Sequence, residues 1–197
     1  MESFFDSISQ ESLAYGWLEI IAVFTAVIYV FLAAKTNRWC FFFGLISSAI
    51  YIYLATSLKF YFDSAINIYY VFMSFYGWFS WSNTSTGKLQ GILKMPKKQF
   101  IIILSAGLLL TAILASIVDH FSDASLPYID AFTTVFAIIA TWMVVKKYLE
   151  NWLIWIVVDL IAAAMYFHKN LFITAALFLL YAIISIVGYK KWKIQLV

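Results

Sequence analysis

Charge is what this sequence has least of. Charged residues make up 12% of its 197 positions, where a soluble domain carries about 25%. The deficit runs the whole length and excludes an ordinary solvated domain. Thirteen Lys and Arg stand against ten Asp and Glu, a net charge of +3, too weak and too scattered for a nucleic-acid footprint. Cysteine is almost missing as well. Cys40 stands alone, so no intrachain disulfide can form and nothing follows about redox compartment. Residues 1–12 hold Glu2, Asp6 and Glu11 but no Lys or Arg. A secretory signal needs a basic start and then an apolar segment, so the first membrane helix is expected to act as the signal and stay. No P-loop is present, which excludes ATP drive from this chain itself, and no HExxH zinc motif occurs. No Ser/His or Cys/His pair falls at one membrane depth, and no repeated filter sequence of the channel type is found.

What fills the space is apolar. Hydrophobic residues reach 64% and the mean hydropathy is +0.91. Apolar runs of about 17–22 residues are long enough to cross a hydrocarbon core of about 30 Å as helices. The short alternating segments of an outer-membrane barrel are absent. The expected fold is therefore an all-α bundle in a membrane, with seven spans at 17–34, 39–56, 61–82, 100–118, 128–145, 152–168 and 171–188. Most connections are a few residues long. The polar stretch 83–99 reads as an exposed surface loop. Loops on one side carry Lys35, Arg38, Lys88, Lys94, Lys97, Lys98, Lys146, Lys147, Lys190, Lys191 and Lys193, and the other side only Lys59 and Lys169. Positive charge stays cytoplasmic, so the N-terminus is expected outside and the C-terminus inside.

The chain also resembles itself. Residues 37–81 and 150–192 share a pattern: Trp39, Tyr53 and Leu58 parallel Trp152, Tyr166 and Leu171, and each block ends in Gly-aromatic-x-x-Trp, at Gly77–Trp81 and Gly188–Trp192. Upstream, Trp17-Leu18-Glu19 parallels Tyr128-Ile129-Asp130. The expected plan is one transporter-type domain with two parallel three-helix repeats, 17–82 and 128–192, joined by a linking helix at 100–118. Such repeats place a substrate site near mid-membrane between them.

Polar residues inside the spans locate that site. Asp159 is the one acid well inside a span; Glu19, Asp63 and Asp130 fall within about a turn of outer ends. In the stretch Glu150–Asp159, Trp152, Trp155 and Asp159 share a helix face, which Ala162 and Tyr166 continue. A carboxylate in such a run is costly and points to function. Span 3 carries Asp63, Asn67, Tyr70, Ser74, Gly77 and Trp81 on one stripe, span 5 Asp130, Thr134, Ala137 and Thr141, and span 2 Gly44, Ser47, Ser48 and Tyr51. These stripes cannot all face lipid. An interior of aromatics, amides and a carboxylate suits a flat cationic or amide-bearing molecule. The plainer readings are interfacial belt for Trp39, Trp81, Trp152 and Trp192, helix packing for Ser47, Ser48, Thr134 and Gly77, structural pairing for Asp159, and hydrated ends for the outer acids. His120 and His168 read as solvated residues of the outer connections, without the second ligand a metal needs.

The segment Glu150-Asn151-Trp152-Leu153-Ile154-Trp155, the Tyr76-Gly77-Trp78-x-x-Trp81 end of span 3 and the Lys146-Lys147-Tyr148 run together resemble the PnuC family of bacterial vitamin transporters, over roughly 15–192. The resemblance implies a 3+1+3 fold related to the sugar-transporting SWEET design. It implies import of nicotinamide riboside by facilitated diffusion, trapped by a cytoplasmic vitamin kinase, with thiamine or riboflavin carried by relatives. Nicotinamide riboside is the first choice and thiamine the runner-up. The expected substrate-binding residues are Trp152, Trp155, Asp159, Asn67, Tyr70, Tyr166, Ser74 and Thr134, with no cofactor and no metal. The ring would stack between Trp155 and Tyr70 or Tyr166, with Asp159 and Asn67 on charge, sugar or amide. Asp159 and Asn67 depart from the family's expected Asn and Gln. The expected partners are the vitamin, the bilayer and further copies of the chain. The rival classes are an integral-membrane enzyme and a channel subunit.

Overall fold

The computed structural model describes residues 16–57, 61–82, 91–121 and 126–196, without the side chains of Tyr61 and Phe62. Glu2, Asp6, Glu11, Leu58, Lys59, Lys88, Asp123 and the polar run 83–90 lie outside them. Seven helices follow in order: α1 Trp17–Ala34, α2 Cys40–Ser57, α3 Tyr61–Ser82, α4 Lys97–Phe121, α5 Pro127–Val145, α6 Asn151–His168 and α7 Phe172–Ile194. They coincide with the seven expected spans to within a few residues. Six are long and apolar enough to cross a membrane. The other, α3, has 22 residues, but its Asp, Asn, Ser and Tyr residues dilute its apolarity. Its place explains this: α3 packs between α2 and α5, with Ser64 and Ser74 buried.

Short reversals let consecutive helices lie side by side. Two residues beyond the ends of α1 and α5, Thr36 and Lys147 each take φ 56°, and two beyond α6, Asn170 takes φ 59°. This left-handed residue turns the chain and satisfies end carbonyls: Thr36 N–H donates to Ala33 O and Asn37 N–H to Leu32 O, just as Lys147 N–H donates to Val144 O and Tyr148 N–H to Met143 O. Such closure matters in lipid, where no water takes over the last carbonyls of a helix. Pro127 starts α5, where its missing N–H costs nothing.

The helices form a closed ring, α1–α2–α3–α5–α6–α7 and back to α1. α4 stands outside the ring against α5. It lays Gly107, Thr111 and Ala115 inward, and a Cβ on Gly107 would lie 2.9 Å from Ile139. Its other faces, including Ile101, Leu109 and Ile113, are exposed, as expected of a surface against lipid tails.

One end of the ring is sealed by tryptophan. Trp81 Nε1 of α3 donates to Val145 O at the end of α5 (3.0 Å), and Trp192 Nε1 of α7 donates to Ala33 O at the end of α1 (3.1 Å). The two rings meet with centroids 6.1 Å apart. Phe41 packs edge-on to Trp81, and Trp152 edge-on to Trp192. Glycine makes room for each: a Cβ on Gly77 would lie 2.1 Å from Phe41, and one on Gly188 2.8 Å from Trp152. Trp81, Trp152 and Trp192 are thus buried packing residues, not interfacial belt. Trp39, 50% exposed, fits the belt. Phe41 thus stands to Gly77 as Trp152 stands to Gly188, whereas the sequence pattern paired Trp152 with Trp39.

A strap completes the seal. Ile92 pairs with Leu196 and Leu93 with Tyr148 as isolated parallel bridges. Leu93 N–H donates to Lys147 O, Leu149 N–H to Leu93 O, and Met95 N–H to Glu150 Oε2. Ile92 is 1% exposed, and Met95 and Glu150 are buried too. The expectation of an exposed loop therefore fails over 91–95, where Ile92 fills the gap among the helix ends and its backbone finds partners on both sides. These contacts bring the ends of α1, α5 and α7 and the start of α4 together, so Lys35, Arg38, Lys94, Lys97, Lys98, Lys146, Lys147, Lys190, Lys191 and Lys193 gather at one end of the ring.

Gly188→Ala should lower stability by about 1–3 kcal/mol, the usual cost of overpacking, because Trp152 cannot move without disturbing Trp192. Gly16→Ala, with nothing within 4 Å of the new Cβ, should be neutral. Thermal unfolding of the purified protein in detergent compares the two; equal midpoints would contradict this packing.

Candidate substrate site

Asp159 lies midway along α6 and is 2% exposed. Its described side-chain partner is Ser185 of α7, whose Oγ donates to Oδ2 at 3.3 Å. One long hydrogen bond is little for a carboxylate in lipid, where burying an unpaired charge costs several kcal/mol. Tyr181, one turn along α7, interacts electrostatically with Asp159 and with Tyr51 of α2. Tyr29 of α1 interacts in the same way with Tyr69 and Tyr70 of α3. Polar groups of α1, α2, α3, α6 and α7 therefore turn into the ring, while Leu153, Val157 and Leu160 of α6 are exposed on its outer side.

The expected site residues separate into groups. Trp155 is half-buried one turn from Asp159 and packs against apolar clusters on both sides of α6. Ser74 is buried, and its Oγ lies 3.3 Å from where a Cβ on Gly44 would stand, beside the Tyr29 ring. With Tyr70, these residues share the interior. Trp152 lies in the aromatic seal, and its indole N–H has no partner among the described residues. Tyr166 lies toward the other end, stacked on Phe178 at 5.3 Å and 9° and in electrostatic reach of Asp63 and Asp130. Asn67 Nδ2 donates back to Asp63 O at 2.8 Å. Thr134 is exposed and does not join the buried stripe of Ala137 and Thr141. Ser47 Oγ donates to Ala22 O, the packing role expected of it. His120 and His168 are exposed. Among the described residues no three His, Cys, Asp or Glu are grouped to hold a metal.

Tyr29, Tyr181 and Ser185 did not emerge from the sequence as candidates, and Tyr51 only as part of the polar stripe of span 2. A signal for two of them was there. Tyr70-x-x-x-Ser74-x-x-Gly77-x-x-x-Trp81 in α3 is matched, residue for residue in spacing, by Tyr181-x-x-x-Ser185-x-x-Gly188-x-x-x-Trp192 in α7.

A helical ring with lipid-facing flanks, polar groups turned inward at mid-span and one sealed end defines a multi-pass membrane transporter. The sequence profile described as "Nicotinamide mononucleotide transporter" matches residues 16–194, and the chain belongs to that family. Named relatives are similar along their length. The "Nicotinamide riboside transporter PnuC" of Neisseria mucosa is 26% identical over 190 residues, covering 90% of this chain and 72% of that one. The protein of the same name from Escherichia coli is 20% identical over 204 residues, covering 90% and 85%. A solved structure, "Crystal structure of the Vitamin B3 transporter PnuC", superposes with a TM-score of 0.71 at 22% identity, covering 98% of this chain and 89% of that one, and shares the fold.

The geometry separates Trp152, buried in the aromatic seal, from Trp155, half-buried one turn from Asp159. Trp152→Phe should lower the unfolding midpoint with little change in solute affinity. Trp155→Ala should weaken affinity by roughly ten-fold, about 1.4 kcal/mol, at a smaller cost in stability. Isothermal titration and thermal unfolding on the same preparations test this; the reverse assignment of effects would move the site toward the sealed end.

Proposed function

We propose that this protein imports nicotinamide riboside across a bacterial cytoplasmic membrane by facilitated diffusion, with the two halves of the ring rocking about Asp159. The observation that carries the substrate is that carboxylate, alone at mid-span with a single hydroxyl beside it. A pyridinium ring supplies the missing positive charge, and Trp155 with the interior tyrosines supplies faces on which a cationic ring stacks. The family's description names a mononucleotide, but the interior argues for the unphosphorylated riboside. Every Lys and Arg in the seven helices lies in the first turn of α4 or the last two turns of α7, so no cation at mid-span meets a phosphate. Thiamine would satisfy Asp159 equally. The names of the relatives favour nicotinamide riboside.

Two further readings support alternating access. The ring contacts α3–α5 and α7–α1 are the pair that two three-helix repeats about a common axis would make, and α4 is left outside them as a linker. The indole bonds of Trp81 and Trp192 cross those same two boundaries. The gathered Lys and Arg support a cytoplasmic position for the sealed end by the positive-inside rule, with the N-terminus outside. Flux then follows the gradient that a cytoplasmic vitamin kinase maintains by consuming the solute.

Proteoliposomes should take up nicotinamide riboside saturably without a pH gradient, and thiamine far more slowly. Asp159→Ala should reduce affinity at least about thirty-fold, as for truncation of a buried charge pair worth roughly 2 kcal/mol or more, with the unfolding midpoint retained. Uptake that requires a pH gradient would refute facilitated diffusion, and preferential uptake of thiamine would refute the substrate.

A further inference from the structure

We infer that the basic end of the ring carries a second site, separate from the central path, that takes a phosphate group. A cavity of about 520 Å³ opens there. Lys35, Arg38 and Lys147 line it, and no carboxylate joins them among the described lining residues. Each cation lies over an aromatic face: Lys35 on Phe31 at 4.2 Å, Arg38 on Trp78 at 4.9 Å and Lys147 on Trp81 at 4.9 Å.

The neutral lining points the same way. Two side-chain amides face the cavity, Asn37 and Gln195. The Asn37 Oδ1 accepts the Trp39 N–H at 3.0 Å, and the Gln195 Oε1 accepts the Thr36 hydroxyl at 3.1 Å. With their oxygens engaged, both amides are left with NH₂ groups to donate. The cavity thus combines positive charge with donors and little competing acceptor, the complement of phosphate oxygens. Lys147 is buried, and burial pushes its ammonium below the usual lysine range.

The walls give the site a role. They include Trp81 of the aromatic seal and Gly91 and Ile92 of the strap. An occupant touches the α1–α2 turn, the α5–α6 turn, the strap and the C-terminal tail at once. It therefore binds the closed arrangement of this end and holds it. A phosphate ester, which finds no cation at mid-span, is read here instead and slows transport. The phosphate can belong to a soluble monoester or to an anionic lipid headgroup. The slowing, though not the binding, rests on the transport function proposed above.

Thermal unfolding of the full-length protein in neutral detergent tests the binding, with inorganic phosphate or adenosine 5′-monophosphate titrated against sodium chloride of equal ionic strength. A parallel arm uses phosphatidylcholine nanodiscs with and without phosphatidylglycerol. The expected result is a saturable rise of a few degrees in the midpoint, lost in the double variant Lys35→Gln/Arg38→Gln, whose changes fall on exposed side chains. A rise with the phosphate probes assigns a soluble ester, and a rise with phosphatidylglycerol alone assigns a headgroup. No rise beyond that of chloride in either arm, or the same rise in the double variant, overturns the site. Nicotinamide riboside uptake with the probe that binds present should then slow severalfold in the wild type and not in the variant. Unslowed uptake by a protein that shows the thermal shift overturns the regulatory role. Failure of all uptake would count against the transport reading and leave the binding result standing.

Discussion

Two crossed indole bonds hold this ring closed, and the remaining architecture depends on them. A helix that ends in or near lipid has carbonyls that water does not reach. α1 and α5 satisfy some of theirs with a left-handed residue and its tight turn. Another acceptor on each goes to a tryptophan from the far side of the ring. Those indoles can approach only because Gly77 and Gly188 leave space for Phe41 and Trp152. Ile92 and the strap then cover what the four rings leave open. Glycine, aromatic ring and helix end act as one unit, which is why a single methyl group at Gly188 is felt so far from it.

Much of this was legible in the sequence, for identifiable reasons. The spans were readable because lipid demands long apolar runs, and even α3 kept enough length and rhythm to be found despite its polar residues. Asp159 was readable because one acid in an apolar run has few innocent explanations. Ser185 was not, because serine in a membrane helix is ordinary until its partner is known. The strap was misread because the lysines and proline around it signal solvent, while Ile92 and Met95 are too few to register as a buried segment. The place of Phe41 was not readable because the sequence pattern matched tryptophan to tryptophan, Trp39 to Trp152. Packing matches ring to ring, and a phenylalanine fills the role at Phe41.

The centre departs from the symmetry of the sealed end. On the first half, Tyr29 of α1 lies against Gly44 of α2. On the second, Ala140 of α5 is fully buried beside the cluster that Trp155 of α6 packs against. Large and small have changed places between neighbouring helices. The aromatic ring comes from α1 on one side and from α6 on the other. Asp159 follows the same division, since its Ser185 partner has a spacing counterpart in Ser74 while no other acid within the described helices is buried. The centre of the ring therefore presents two different walls.

The reciprocal indole bonds have the form of a two-fold exchange. Each half of the ring gives one indole to the other and receives one in return. An exchange of that kind is what an isologous two-fold interface makes between identical subunits. Each boundary of the ring is thus locked by one indole and one helix end, so the loss of either tryptophan loosens one boundary and leaves the other bond in place.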